Sequence, residues 1–300
     1  MSDNDKCACV ILNFNDAENT LQLVRKIKKY KNLDYIVLVD NCSTDGSLQR
    51  LCEHVCNKII VIACEKNGGY GAGNNYGVLY CKRKLGCRLV LIANPDVIFT
   101  EKDVENFKKA FDKFSDCGIV SGIQMNLLGE IIGQSAWKIP SVWRYIISTE
   151  FILRKWGNNF FYPLEFLYND EYVQVDCVAG ALLMVSAEAF VECGGYDEEM
   201  FLFYEETALG CKMKNKGYST YICSLVQYHH LHGASINKSI KSIVRQKSIF
   251  LHSHHLALKR YLGANRIECC ADQIVIYISM LETILKSAYI KIKRKVQNKS

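Results

Sequence analysis

Proline is scarce in this chain, with 3 residues in 300. So few leave little room for long extended linkers. Cysteine is plentiful, at 15 residues, yet no two are spaced C-x-x-C, the pattern that zinc and redox sites use. Cys7, Cys9 and Cys177 lie inside apolar runs instead, where a thiol serves as a small buried hydrophobe. Neither zinc nor a disulfide framework is expected. Long uncharged apolar runs are missing too. The nearest, residues 274–292, is broken by Glu282 and Lys286, so no membrane-spanning helix is expected. The opening MSDNDKCACV has no basic stretch followed by an apolar core, so no secretory leader is expected there. A cytoplasmic protein is the expectation.

Hydrophobic residues make up 49% of the chain and charged ones 23%, which fits a globular protein rather than a disordered one. The net charge is +6. Much of the excess lies near the end, in Lys286, Lys291, Lys293, Arg294, Lys295 and Lys299. Such an end suits an anionic surface, lipid or nucleic acid. A solvated helix terminus with cations favoured by the helix dipole fits equally well.

The first 125 residues alternate strand and helix. Strands are expected at 7–14, 35–39, 58–63, 88–93 and 118–124, and helices at 18–30, 47–56, 76–84 and 101–114. Thr44 or Asp45 is available to cap the second helix. A Gly-rich loop is expected before the third. Repeated β-α-β units imply a mainly parallel sheet. From about 125 to 171 the periodicity is lost and aromatic residues are frequent (Trp137, Trp143, Tyr145, Trp156, Phe160, Phe161, Tyr162). That stretch reads as an excursion over the active face. Strand character returns at 173–185, followed by helices at 187–193 and 204–216. Two further helices fill the region from 238 onward, breaking near 263–265.

Two strand exits carry acids: IVLVDNCSTDGS (36–47) ends a strand on Asp40, and LVLIANPDV (89–97) presents Asp96. Ligands of open α/β sheets bind outside the carboxyl ends of the strands. Asp40 is therefore placed to hold a nucleoside. Asp96, a hard oxygen donor, suits Mg²⁺ or Mn²⁺ on a diphosphate. Asp96 also reads as an exposed turn residue, whereas Asp40 comes before its turn and is harder to explain as a cap. NGGYGAGNN (67–75) allows close backbone approach to a ligand. Its spacing fails the dinucleotide pattern, because Asn74 stands where the third glycine belongs. GGYDEEMFLFYEE (194–206) gathers acids around an apolar segment. Glu205 and Glu206 open a helix, and residues 100° apart imply that one of them faces the cleft. A buried Glu beside a hydroxyl serves as general base. In HHLHGAS (229–235), strand alternation sends His230 and His232 to one side and His229 to the other. His252, His254 and His255 receive no role.

In order, VILNFN, VDNCSTDGS, NGGYGAGNN, NPDV, VAGALLMV, GGYDEEMFLFYEE and HHLHGAS resemble the inverting GT-A glycosyltransferases of family 2, in particular their rhamnosyltransferase-like bacterial branch. The likeness runs from about residue 9 to 235. It implies an α/β fold of GT-A, Rossmann-like type: a mainly parallel sheet flanked by helices, with a C-terminal helical appendage. It implies a catalytic domain over 1–236, divided into a nucleotide-binding half (1–125) and an acceptor half (126–236), and a helical extension over 237–300. It also implies a nucleotide-sugar donor, dTDP-rhamnose or a UDP-hexose, and a divalent cation, Mg²⁺ or Mn²⁺. The sugar would pass, with inversion, to a hydroxyl of a saccharide or lipid-linked saccharide in cell-surface polysaccharide (O-antigen or capsule) synthesis. No nucleic-acid partner is implied. Contact of the basic end with the inner face of a membrane, and pairing with a second copy, both stay open.

By the same resemblance, Asn15, Asp40, Asn67, Gly69, Asn75 and Asn94 serve the nucleotide. Asp96 and His230 serve the metal. Gly180, Ala181 and Trp137 shape the sugar and acceptor pocket. Glu206 is the catalytic base, with Glu205 as its neighbour. Two departures stand out. Asn94 replaces an acid of the metal motif, and Ala208 removes one from the helix pattern Glu-Asp-x-Asp. Ala208 is the feature that favours a rival reading, a degenerate domain that binds nucleotide-sugar without turning it over. A nucleotidyltransferase is the other rival. It wants a Gly-rich basic loop after the first strand, and Leu12-Asn13-Phe14-Asn15-Asp16 offers neither glycine nor lysine.

Overall fold

The computed structural model of the chain describes residues 6–132, 134–149, 160–230 and 242–297. Strand β1 (Cys7–Asn13) is buried along nearly its whole length. CACVILN is apolar on both faces of the pleat, and such a strand is stable only where helices cover both sides of a sheet. It pairs in parallel with β2 (Tyr35–Asp40) and with β4 (Leu89–Ala93), and β3 (Ile59–Ala63) pairs in parallel beyond β2. Helices α1 (Ala17–Ile27), α2 (Ser47–Cys52) and α3 (Gly69–Leu85) make the connections. After β4 come the two-residue β5 (Val97–Ile98) and α4 (Glu101–Lys113), which Thr100 and Asp103 close with a capping box.

The second half supplies β6 (Cys117–Met125), β7 (Ala136–Trp137), α5 (Val142–Ile147), α6 (Leu164–Leu167), β8 (Tyr172–Val175), β9 (Cys177–Val178), β10 (Leu182–Ser186), α7 (Ala187–Glu192), α8 (Glu205–Asn215) and β11 (Ser219–His230). The main sheet runs β3-β2-β1-β4-β10-β6-β11-β5, with β8 also on β11. Strand β10 is antiparallel to both β4 and β6, and β5 and β8 are antiparallel to β11. The other four pairings are parallel, and six of the nine strands run in one direction, the sense in which the sheet is mainly parallel, as expected. Because β6 sits between β10 and β11, one continuous sheet draws on both halves of the chain. Apolar clusters fill both of its faces.

Two local readings change. The glycines of 67–75 do not form a loop: α3 begins at Gly69. A Cβ on Gly73 would lie 2.3 Å from Leu12 Cδ1, and one on Gly77 would lie 2.5 Å from Val10 Cγ1. Gly73 and Gly77 thus let α3 settle directly onto β1, and Gly71 makes room for Tyr196, so helix packing is what these three serve. At the start of α2 the cap position is Gly46, in the left-handed region, while Asp45 Oδ1 accepts from Ser47 N. All 15 cysteines are free thiols, most of them buried.

Helices α9 (Ile243–Tyr261) and α10 (Arg266–Gln297) form a hairpin that turns at Gly263, φ +72°. The expected domain boundary at 236 lies outside the described residues. A third core joins this hairpin to the sheet through Tyr145, Ile146, Met200, Ala208, Ala257 and Leu258. Polar ties reinforce it. Asp197 accepts from Arg260 Nη1 at 2.9 Å and from Tyr261 Oη at 2.7 Å. Buried Asp272 holds His254 at 3.0 Å and His255 at 2.7 Å. The His254 ring stacks on Tyr145, with centroids 4.1 Å apart.

Candidate active site

The carboxyl ends of β2, β1 and β4 form one edge, with Asp40 and Asp96 at strand exits on either side of β1. At its centre Asn13 Nδ2 donates to Asp40 Oδ1 at 2.9 Å, and Asp40 Oδ2 accepts from Ser43 N at 2.9 Å. Asp40 therefore also organises its own turn. Asn15, with φ +52°, sits above it: its N–H donates to Ser43 Oγ at 3.0 Å, and its Oδ1 accepts from Thr44 N at 2.8 Å. Asn67 Oδ1 accepts from Asn41 Nδ2 and from Gly69 N, both at 3.0 Å. Gly69, with φ +91°, has no room for a side chain, since a Cβ would lie 2.1 Å from Phe201 O. Asn75 points away from this edge. It donates to Tyr196 O at 3.0 Å and accepts from Tyr196 N at 2.8 Å, tying α3 to the segment that leads into α8.

On the other side of β4, β5 pairs antiparallel with the end of β11, placing His230 opposite Val97. His230 Nε2 thereby comes within 3.3 Å of Asp96 Oδ1, with both side chains largely buried. His229 faces the other way, its Nδ1 2.8 Å from Asn126 O; His232 lies outside the described residues. An oxygen and an imidazole nitrogen this close fit a divalent cation, whose bonds to such donors are about 2.0–2.2 Å long. A carboxylate with an imidazole suits Mn²⁺ better than Mg²⁺. No group of three or more metal-binding side chains occurs among the described residues.

A cavity of about 780 Å³ opens beside the pair, lined by His230, Asn94, Gly180, Ala181, Trp137 and both glutamates, among others. Trp137 Nε1 donates to Thr207 Oγ1 at 3.1 Å, fixing the indole against the first turn of α8. Ala181 O accepts from Asn94 N at 2.8 Å, and Gly180 O accepts from Tyr70 Oη at 2.7 Å. Of the aromatic excursion, Trp137, Tyr145, Phe160 and Phe161 reach the cavity, Trp143 is exposed, and Trp156 is outside the described residues.

Both Glu205 and Glu206 face the cavity, where one was expected. Helix α8 presents its N-terminal end, not a side, so residues 203–207 all line the space. Phe203 and Tyr204 precede the helix with φ +74° and +67°. Two adjacent left-handed residues other than glycine store strain, which concentrates at functional sites. Glu205 is buried, and its Oε1 has no hydrogen-bond partner among the described residues. Burial, then the Glu206 charge, pushes its carboxyl well above the usual range. Glu206 is half-buried. Burial raises it too, against hydrogen bonds from its own backbone N–H and that of Gly180. Two adjacent carboxyls cannot both ionise cheaply. Glu205, the more deeply buried of the two, is held the more strongly toward its protonated form, which leaves Glu206 the readier to give up its proton. A Cβ on residue 180 would lie 2.2 Å from Glu206 Oε1, so the glycine makes the space this carboxylate occupies.

Sequence reasoning missed Tyr70 and the whole far wall of the cavity, where α9 and α10 contribute Lys247, Phe250, Ser279, Glu282, Thr283 and Lys286. One signal was present: Asp272, an acid in the otherwise apolar run around it, marks a buried partner, here His254 and His255.

A model of glycosyl transferase family 2 matches residues 8–184. The chain is 24% identical over 226 residues to a low-salt glycan biosynthesis hexosyltransferase, Agl10, of Haloferax volcanii, covering 75% of this chain and 67% of that protein. It is 26% identical over 239 residues to an N-acetylglucosaminyl-diphospho-decaprenol L-rhamnosyltransferase of Mycobacterium tuberculosis H37Rv (73% and 75%). To the rhamnosyltransferase WbbL of Escherichia coli K12 it is 25% identical over 249 residues (80% and 90%). Among solved structures, GalNAc-T7 with UDP, GalNAc and Mn²⁺ superposes with a TM-score of 0.62 at 16% identity, over 90% of this chain and about half (52%) of that one. The mannosyltransferase PcManGT of Pyrobaculum calidifontis, with GDP-Man and Mn²⁺, gives 0.56 at 12% identity (95% and 75%). These likenesses establish the GT-A fold. With the family match spanning more than half of its residues, this chain belongs to glycosyl transferase family 2.

Proposed function

We propose that the protein transfers a sugar from a nucleotide-sugar, dTDP-rhamnose or a UDP-hexose, to a saccharide hydroxyl with inversion, in cell-surface polysaccharide synthesis. One observation carries this reading: Glu206 and His230, whose Nε2 lies 3.3 Å from Asp96 Oδ1, line the same cavity. The rhamnosyl- and hexosyltransferase names of the relatives support the donor and the pathway.

Asn15, Asp40 and the Asn67–Gly69 turn seat the nucleoside at the strand edge, and Asn94 sits between them and the cavity. Asn75 holds α3 against the segment before α8 and so acts on the pocket from behind. Asp96 and His230 would hold a divalent cation, which when bound offsets diphosphate charge. Glu206 takes the proton from the acceptor hydroxyl as that oxygen attacks the anomeric carbon from the face opposite the nucleotide, and the bond from that carbon to the diphosphate oxygen breaks, releasing the nucleoside diphosphate. A single displacement needs one base and no enzyme nucleophile. Gly180 N–H orients Glu206, and neutral Glu205 behind it avoids a second charge. Trp137 and Ala181 shape the sugar side.

The degenerate reading loses support at its one motivating residue. Ala208 is fully buried in the core with Met200 and Ala257, so an acid there would face packing, not substrate.

Purified protein, Mn²⁺, a panel of nucleotide-sugars and saccharide acceptors test the reading. Nucleotide release that depends on acceptor, with a new glycosidic linkage in the product, is expected. Nucleotide-sugar binding without turnover across the panel would sink it in favour of the binding-only alternative.

A further inference from the structure

Helix α10 has two unlike faces. The inner one carries buried Asp272 and Ser279 and lends Ser279, Glu282, Thr283 and Lys286 to the cavity wall. The outer one is apolar and open. Ile274, Leu281 and Leu285 are 62%, 59% and 61% exposed, with Ile267 and Ile278 exposed beside them. At about 100° per residue these five positions fall within about 60° of arc, roughly opposite Asp272 and Ser279. Tyr277, Ile284 and Tyr289, also exposed, flank the stripe. Between 267 and 289 no Asp, Glu, Lys or Arg stands on that arc. At about 1.5 Å per residue the stripe is about 33 Å long. Isolated exposed apolar side chains are ordinary, but a continuous stripe of this length marks a contact surface.

The charge along the same helix selects what covers it. From 287 to 297 the sequence has four cations, Lys291, Lys293, Arg294 and Lys295, and no acid. Packed in parallel against a second copy, this end would meet the same four cations. An anionic bilayer complements it. Tyrosines at the margins of an apolar stripe suit the headgroup layer. No helix among the described residues is long and apolar enough to cross a membrane, and a helix apolar on one face alone lies in the interface instead.

We infer that the outer face of α10 rests on an anionic lipid surface, so that one helix has the bilayer on one side and the acceptor cavity on the other. The contact stands on the exposed stripe and the cations that follow it. Its consequence, an acceptor sugar presented at the membrane on a lipid carrier, rests on the proposed function.

Co-sedimentation of the full chain with vesicles of phosphatidylcholine, with and without 30% phosphatidylglycerol (about a third, enough to set a negative surface potential), tests it. Binding to the anionic vesicles is expected. It should fall at least about tenfold in a variant carrying Ile274→Ser, Ile278→Ser, Leu281→Ser and Leu285→Ser, and fall with added salt. The nucleotide-dependent thermal shift of that variant reports its folding. As a second measure on the unaltered chain, hydrogen exchange across 274–289 should slow when anionic vesicles are added. Vesicle binding that survives the four substitutions overturns the inference, as does unchanged exchange. Absent vesicle binding, with a dimer in sedimentation velocity that the same substitutions split, overturns it in favour of a second copy. None of these readouts requires sugar transfer, so failure here and failure of the proposed activity are separable.

Discussion

The strand edge around Asp40 and the corner around Glu206 are built in opposite ways. At the edge, Asn13, Asp40, Ser43, Asn15 and Thr44 satisfy one another with short hydrogen bonds. At the corner, two left-handed residues lead into a helix, a buried carboxyl oxygen lacks a partner, and both acids are raised. A surface that receives a ligand can be complete beforehand, because its spare groups meet the ligand. A base cannot: it has to stay unquenched, with its affinity for a proton lifted toward the working pH.

The largest break in that contrast comes from Glu206→Gln. Transfer should fall by about 10³-fold, while the Kd for the nucleotide, measured by calorimetry, stays within twofold (about 0.4 kcal/mol). Full turnover in this variant removes Glu206 from the role. Gly180→Ala comes next. The new methyl claims the position of Glu206 Oε1, and a displacement of about 1 Å costs about 10²-fold in rate. Steady-state kinetics should place the loss in kcat.

Asp40→Ala tests the other region. It strands the Asn13 amide and the Ser43 N–H in a buried site, costing about 1–3 kcal/mol in denaturant unfolding, and it should also weaken nucleotide binding. A variant of unaltered stability would mean that the edge is not the closed network described above.

The smallest effect has the opposite sign. Glu205 has its carboxyl raised above the unfolded value of about 4.3. The folded state therefore holds the extra proton, and stability declines as pH rises from that value through the raised one. Glu205→Gln cannot ionise. It should match the parent near pH 4 and exceed it by about 1 kcal/mol near pH 7, seen as a higher Tm. Equal pH dependence in the two proteins would contradict the assignment of the proton to Glu205.

Much of the sheet was readable because its strands are local patterns: CACVILN, YIVLVD and LVLIA announce themselves as buried, and the acid after each of the latter two marks an exit. The pairing of His230 with Asp96 was readable only as kinship, because it depends on β5 and β11 meeting across more than a hundred residues. Gly69, Gly71 and Gly73 were misread as a loop because their role is space beside Phe201, Tyr196 and Leu12, which no local pattern displays. The paired glutamates were half readable. Their helical spacing was clear, but the orientation of α8, end-on to the cavity, was not. His254 and the cavity wall of α10 were silent for the same reason. Each is a contact between distant segments, and the apolar face of α10 gained meaning only once its inner face was occupied.

The account stands or falls on a single displacement driven by the cavity carboxylate. Proton NMR of the first-formed product, recorded with a donor of known anomeric configuration, reads this directly. An anomeric configuration inverted relative to the donor, read from the one-bond C1–H1 coupling, is the predicted result. Retained configuration would require a double displacement, or attack from the nucleotide face, and would contradict the role given to Glu206.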